Sequence, residues 1–338
     1  MSMQSVGDQA RSFALQLASN RLKLTVATLT QEIASGEVAD LGHRLQGNGG
    51  VLTGIEARIA AITQFQRNAT DAGIFSDGVQ NLLEGIRRDT ANIGVELASD
   101  PFGSDGFGPD GRATEVATVF ETVIQRLNSS AGGRFVMGGL ATDSPPVSPA
   151  AEITDHLMVA TSGLATATAI ALAVSDWFDA PVGGGGYLDH AYSGTLGTPL
   201  RIPVAEGTTV AISTSAASPE IRDMLKGLAM AAVLDRGALP GDPEQKRQLM
   251  ILAGQSLYAA DRGLIGEMGR VGLTQKFIEQ ASTSNSTALS LLSVTRNDMR
   301  SADPFETAAA LTEVQNQLEA LYAVTARLSK LKLVDFLR

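Results

Sequence analysis

The sequence predicts a mainly helical protein that carries a small α/β insertion in its middle. Three observations support this fold class. Apolar residues recur at three- and four-residue steps near both ends of the chain, as on one face of an α-helix. All twelve prolines fall between Pro101 and Pro304, so irregular structure is concentrated in the middle. Alternating β-branched residues, typical of a hairpin, occupy the stretch from Leu200 to Thr214.

The first 35 residues form the first predicted helix. They contain no proline and a single glycine, Gly7. Glycine is common just past a helix end, so we expect the helix to stop at Ser35-Gly36. Its apolar stripe consists of Leu15, Ala18, Leu22, Val26, Leu29 and Ile33.

The last 36 residues, from Asp303 to Arg338, form a matching helix. Asp303 stands where an N-cap belongs, Pro304 at the first helical position and Glu306 three residues after the cap. Its stripe has one polar gap, Thr325, and consists of Leu311, Val314, Leu318, Leu321, Leu328 and Leu331.

Both stripes have the spacing of a helix that packs on another helix. They are therefore our candidate assembly interface: Leu15, Leu22, Val26, Leu29 and Ile33 with Leu311, Val314, Leu318, Leu321, Leu328 and Leu331. The alternative is that the two helices belong to one ordinary globular core. Periodicity alone does not decide between the two.

The middle of the chain alternates between helices and turns. The predicted elements are helices over 46–98 and 114–127, a loop over 100–111, a short strand within 132–139, a helix over 150–175, a hairpin of 200–204 with 208–214, and helices that begin at Ser218 and at Asp242-Pro243. Helical segments on both sides of the insertion imply a rod built from both halves of the chain.

This order predicts five segments. The two terminal arms pair as an inner coiled-coil layer, the two halves of a helical rod follow, and the insertion is a separate outer domain. The boundaries are 1–41 and 302–338 for the arms, 42–140 and 241–301 for the rod, and 141–240 for the insertion.

Composition argues against several classes of protein. The net charge of −10, without clusters of Lys or Arg, argues against binding to nucleic acid or to an anionic membrane surface. No apolar run reaches the length of a membrane span. The start of the chain lacks a basic segment followed by an apolar one, so we expect no cleavable signal peptide. The absence of cysteine excludes disulfides and thiolate chemistry.

The sequence contains no convincing catalytic or metal-binding motif, so we predict no enzyme, no cofactor and no metal. His43, His156 and His190 are scattered along the chain. Asp189-His190 is the nearest approach to an acid–base pair, and a polar surface turn explains it more simply. The glycine run 183–186 matches no phosphate-binding motif and is predicted to be a flexible turn.

Several terminal and central motifs resemble those of the flagellin superfamily. The C-terminal runs are 302–308 (ADPFETA), 318–324 (LEALYAV) and 331–337 (LKLVDFL), and the N-terminal run is 29–36 (LTQEIASG). The run 132–139 (GGRFVMGG), with its Pro-rich exit, is similar to the hook-associated members more than to flagellins. Asp40 stands alone where the family usually has an acidic pair, which indicates a divergent member.

The resemblance implies an elongated, flagellin-like subunit of the bacterial flagellum. Such a protein joins hook to filament, self-associates, and has a hook-associated protein and flagellin as neighbours. It also implies binding to a cytosolic chaperone, export by the flagellar type III system and a final extracellular location. Two alternatives remain: flagellin, the main filament subunit, and a soluble binding protein or enzyme that uses the acidic insertion.

Overall fold

The computed structural model describes residues 3–44, 49–99 and 108–336. Within these ranges the side chains at 3–8, 43, 109 and 328–336 lie outside the description.

Helices dominate the described residues, and two small antiparallel hairpins supply the strands. The predicted mainly α class is confirmed. The helices are α1 (Met3–Ser35), α2 (Leu41–Arg44), α3 (Gly49–Ser99), α4 (Gly108–Leu127), α5 (Ala150–Ala160), α6 (Ala167–Asp179), α7 (Tyr187–His190), α8 (Pro219–Asp235), α9 (Pro243–Arg300) and α10 (Pro304–Phe336). The strands are β1 (Ser130–Ala131), β2 (Arg134–Phe135), β3 (Leu200–Ala205) and β4 (Thr208–Ile212).

The chain divides into two compact units. The terminal unit contains residues 1–61 and 287–338, and the central unit contains residues 62–286. Both α3 and α9 begin in one unit and end in the other. The five predicted segments are a finer division, and their boundaries stay predictions.

The ends of the two terminal helices follow the local signals predicted from sequence. Gly36 has a φ of 72°, and its N–H donates to the Glu32 carbonyl at 2.8 Å, which closes the last turn of α1. The Asp303 carboxylate accepts from the backbone N–H of Phe305 at 2.9 Å and of Glu306 at 3.2 Å. It therefore caps α10, because the first N–H groups of a helix have no partner within the helix.

The central unit has a continuous apolar core. Helix α8 lies at its centre and packs on α4 and α6. Its side chains from Met224 to Leu234 are buried without interruption. The largest fully buried side chains around it include Tyr187, Phe120, Phe178, Leu83, Ile86 and Leu127. Residues of the predicted insertion thus bury their apolar groups together with residues of the predicted rod.

The β3–β4 hairpin packs against α3 and α9 within the central unit. Val204 and Val210 form a small apolar cluster with Ala69, Ala72, Ile278 and Ala281. The buried Asn285 amide donates to the Val204 carbonyl at 2.8 Å, and the Asn68 amide donates to the Pro203 carbonyl at 2.9 Å. The first of these bonds is buried and gives the Val204 carbonyl a donor, and the second is exposed to solvent.

Three local predictions need correction. The helix predicted over 150–175 is broken between α5 and α6, because Gly163 adopts a φ of 76° and Thr166 caps a new helix. Helix α4 begins at Gly108, inside the predicted loop. Gly132 and Gly133, expected to flank a strand, form the turn of the β1–β2 hairpin with φ values of 58° and 77°.

Candidate assembly surface of the terminal helices

Helices α1 and α10 pack side by side in the terminal unit, in antiparallel orientation. The end of α1 lies beside the start of α10, where the Ala302 N–H donates to the Gly36 carbonyl at 2.9 Å. Toward the other end, residues of both helices line one recess of about 250 Å³: Ser12, Leu15, Gln16, Ser19, Leu321, Tyr322 and Thr325. The predicted pairing of the two terminal helices is therefore observed.

Most of the predicted stripe residues form the seam between these two helices. Half-buried side chains on α1 are Leu15, Leu22, Val26 and Leu29, and those on α10 are Leu311, Val314, Leu318 and Leu321. Ile33 remains 42% exposed. The side chains of Leu328 and Leu331 lie outside the described residues.

The structure thus gives the stripe residues a role inside one chain. They pack α1 on α10 but stay half-buried, because two helices alone cannot enclose a side chain on all sides. That the same residues also contact neighbouring molecules stays a prediction.

A second apolar face lies on α1, opposite the seam, and the sequence analysis did not single it out. Phe13, Leu17 and Leu24 are 65%, 49% and 69% exposed. At 3.6 residues per turn they fall within an arc of about 40°, roughly half a turn from Leu22 in the seam. Their spacing of four and seven residues is itself a helical repeat, and this signal is present in the sequence.

Helix α10 adds further exposed apolar groups. Phe305, in its first turn, is 87% exposed, and Val324 is about half exposed. The Lys23 ammonium of α1 lies 5.9 Å from the centre of the Tyr322 ring, a cation–π contact across the helix pair. In the described part of the terminal unit, both helices therefore present large apolar side chains to solvent.

Arg300 forms two ion pairs close to the end of α1 and the start of α10. The Arg300 guanidinium lies 3.0 Å from the Glu37 carboxylate and 3.4 Å from the Glu56 carboxylate. The Val38 N–H also donates to the Arg300 carbonyl at 2.9 Å. These contacts join the segment after α1 to the end of α9 and the start of α3, all within the terminal unit.

The loop with Asp189 and His190 is built as a capped turn. The Asp189 carboxylate accepts from the N–H groups of Gly183 at 2.8 Å and Gly185 at 2.7 Å. These hydrogen bonds lower the pKa of Asp189 below its usual range. The His190 ring stacks on His156 with their centres 4.7 Å apart. Asp189 thus organises the glycine turn, which accounts for its carboxylate without a catalytic role.

The described ranges contain neither a metal-binding cluster nor a candidate membrane span. No group of three or more acidic, histidine or cysteine side chains there is placed to hold a metal ion. None of the helices found in those ranges combines the length and the apolar character that a membrane span needs.

Comparisons with known proteins give matches among solved structures only. No family model and no curated protein sequence matches the chain. A protein from Vibrio parahaemolyticus assigned as a flagellar hook-associated protein is 14% identical with a TM-score of 0.48, over 73% of this chain and 95% of that one. FlgL of Bacillus cereus is 15% identical with a TM-score of 0.46, over 71% and 97%. FlgL of Xanthomonas campestris is 13% identical with a TM-score of 0.35, over 72% and 100%.

Proposed function

We propose that this chain is a structural, non-catalytic subunit of the bacterial flagellum that joins hook to filament. Its terminal helices α1 and α10 are the assembly elements in this proposal. The observation that carries it is the second apolar face of α1, formed by Phe13, Leu17 and Leu24 on the side turned from α10.

The helix pair has apolar surface left over after it forms. The seam uses one side of each helix, so the opposite side of α1 has no intramolecular partner among the described residues. Phe13, Leu17 and Leu24 lie on one side of α1, with the polar Asn20 between Leu17 and Leu24, and large exposed apolar groups that cluster in this way are typical of an interaction site. Neighbouring subunits that contribute their own helices would bury this face and the seam together, as in a helical bundle.

The motifs at the two ends of the chain support the flagellar part of the proposal. The run 302–308 coincides with the observed cap and first turn of α10, and the run 29–36 with the last turns of α1. We infer from this resemblance that the neighbours are a hook-associated protein and flagellin, that a cytosolic chaperone binds the chain before type III export, and that the final location is extracellular.

The position of the protein on isolated flagella separates the junction role from flagellin. Immunogold labelling of sheared flagella should give one zone at the base of each filament. Label along the whole filament would instead identify the main filament subunit and overturn the junction assignment.

A single charge on the exposed face of α1 tests the role of that face. Leu24→Asp should prevent attachment of filaments and abolish swimming in cells whose own copy is deleted, because a carboxylate cannot be buried against an apolar neighbour without a partner. The matched control is Leu172→Asp on α6, where the side chain is 61% exposed. The control should swim normally, and swimming by the Leu24→Asp strain would contradict the proposal.

A further inference from the structure

Charge is divided unequally between the two terminal helices. Between residues 9 and 31, α1 carries three basic side chains and no acidic one: Arg11, Arg21 and Lys23. Between residues 304 and 326, α10 carries three acidic side chains and no basic one: Glu306, Glu313 and Glu319. All six are exposed. Each helix of the pair is therefore suited by charge to a helix of the other kind from a neighbouring molecule.

One of these charges borders the exposed apolar side of α1, which consists of Phe13, Leu17 and Leu24. At about 100° per residue, Arg21 lies roughly 60° around the helix from the middle of this side, and Asn20 lies within it. The other two basic groups of α1 lie farther around the helix. This side therefore offers a partner large apolar groups, one amide and one positive charge at its edge.

The outward side of α10 lies roughly half a turn from seam residues such as Leu318. Its exposed side chains recur at steps of three or four residues: Phe305, Ala309, Thr312, Asn316, Ala320 and Ala323. Glu313 and Glu319 border this side, roughly 60° to either side of its middle. Apart from Phe305, its side chains are smaller than leucine, so they leave room for large side chains from another helix.

The two sides match in order when α1 of one copy lies antiparallel to α10 of the next. Asn20 then meets Asn316 near the middle of the contact. Large side chains of α1 meet smaller ones of α10 on both sides of this amide pair. The facing residues are Phe13 with Ala323, Leu17 with Ala320 and Leu24 with Thr312. A polar pair within an apolar helix contact fixes the register of the two helices.

The same arrangement brings opposite charges together at one edge of the contact. Arg21 and Glu313 fall on the same edge, about 3 Å apart along the helix axes at 1.5 Å per residue. The Gln317 amide donates to the Glu313 carboxylate at 2.9 Å and holds it on that edge. Among the described residues, neither Arg21 nor Glu313 forms an ion pair within its own chain. A contact between two α1 helices would instead oppose Arg21 of both copies, with no carboxylate between residues 9 and 31 to offset them.

We propose that the exposed apolar side of α1 in one copy packs on the outward side of α10 in a second copy. This inference rests on the proposed function, because it names the partner of the assembly surface on α1. Burial of the large apolar side chains of α1 stabilises the contact, and the amide pair and the edge charges select partner and register. The contact joins two different surfaces, so each copy has one of each left for the next neighbour and the arrangement propagates.

Cysteine crosslinking tests the contact directly, since the chain has no cysteine of its own. Leu17→Cys and Ala320→Cys are made in separate copies with different tags and are expressed together in cells whose own copy is deleted. Isolated flagella are then oxidised. A disulfide-linked dimer that carries both tags should form, and neither variant alone should give a dimer. The matched control pairs Leu17→Cys with Gln315→Cys, because Gln315 is exposed on α10 but points about 100° away from Asn316. It should give at least tenfold less dimer.

Other outcomes overturn the inference. A dimer from Leu17→Cys alone would show that two α1 helices meet, and a dimer only in the control mixture would place a different side of α10 in the contact. No dimer in protein that is present at the hook–filament junction would show that another protein covers this side of α1, while leaving the proposed function intact. Absence of the unaltered chain from isolated flagella, read by antibody, would count against both.

A charge exchange between copies gives an independent readout. Arg21→Glu, added to the copy that carries Leu17→Cys, should reduce the yield of the mixed dimer at least threefold. Glu313→Arg, added to the copy that carries Ala320→Cys, should then restore the yield, because the edge charges are again opposite in sign. The two changes are in separate chains, so only a contact between copies allows this rescue. A yield that does not fall with the first change, or that the second change does not restore, overturns the arrangement.

Discussion

The central and terminal units use helices in different ways. In the central unit α8 is surrounded by other elements, and side chains such as Leu225 and Leu228 are fully buried. In the terminal unit no described side chain of α1 between residues 9 and 35 is buried, and Thr307 is the only buried one of α10 between 304 and 327. The central unit therefore has a hydrophobic core of its own. The described side chains of α1 and α10 enclose no such core, and we expect neighbouring molecules to complete their packing.

This contrast predicts a difference in stability. Most of the stability of a protein helix comes from packing of its apolar face, and isolated helices are marginal in water. A two-helix layer gains little from packing, so α1 and α10 should order fully only against neighbouring molecules. If α1 and α10 become ordered when the subunits assemble, the conformational entropy that they lose reduces the free energy gained from assembly. Only a neighbour that packs well on both helices would then offset this cost.

The largest expected effect comes from a matched pair of truncations, one in each unit. Phe120→Ala should lower the free energy of unfolding by about 3–5 kcal/mol, because it leaves a cavity in a closed core. Leu22→Ala in the α1 seam should cost less than about 2 kcal/mol, because that side chain is already half exposed. Urea denaturation of the purified monomer measures both losses. Equal losses in the free energy of unfolding would contradict the difference in packing between the two units.

The next effect compares two glycines of α9. A side chain at Gly254 would lie 2.5 Å from the Ala98 backbone nitrogen, so Gly254→Ala should destabilise the central unit by about 1–3 kcal/mol. Gly266 has open space, so Gly266→Ala should stabilise the monomer by about 0.5–1 kcal/mol through higher helix propensity. Thermal unfolding of the two variants should shift in opposite directions, and a shift in the same direction would contradict this packing.

A smaller effect is expected from the cap of α10. Asp303→Ala removes the acceptor for the Phe305 and Glu306 N–H groups and should cost about 1 kcal/mol of helix stability. Asp298→Ala in the last turns of α9 is the control, since its carboxylate caps no helix start. Amide hydrogen exchange in the first turn of α10 should accelerate in the Asp303 variant only.

The smallest effect concerns the glycine turn capped by Asp189. Because its pKa is lowered on folding, the carboxylate contributes stability above the unfolded-state pKa of about 3.9, and this is lost as pH falls through the folded-state pKa. The two bonds use different oxygens of the carboxylate, and Asn keeps only one acceptor oxygen and replaces the other with an NH2 donor. Asp189→Asn should therefore lose one of the two bonds and weaken the other at neutral pH. Amide exchange at Gly183 and Gly185 is the measurement, and unchanged rates would contradict the capping role.

The terminal helices could be predicted from sequence because their signals are local. A glycine after α1 and an aspartate-proline pair before α10 act within one helical turn of the residues they terminate. The β3–β4 hairpin was predictable for the same reason, since Gly207, with a φ of 72°, lies between its two alternating runs.

The exposed apolar side of α1, turned away from α10, could not be predicted in the same way. The spacing of Phe13, Leu17 and Leu24 is visible in the sequence, but only the structure shows that α10 occupies the opposite side of α1. Such assignments come from tertiary packing, which a periodic pattern does not contain.

Amide hydrogen exchange of the dilute monomer and of the assembled protein tests the central claim most directly. In the monomer, α1 and α10 should exchange orders of magnitude faster than α8, and in the assembly they should become as protected as α8. Terminal helices that are already as protected as α8 in the monomer, with no change on assembly, would contradict the account.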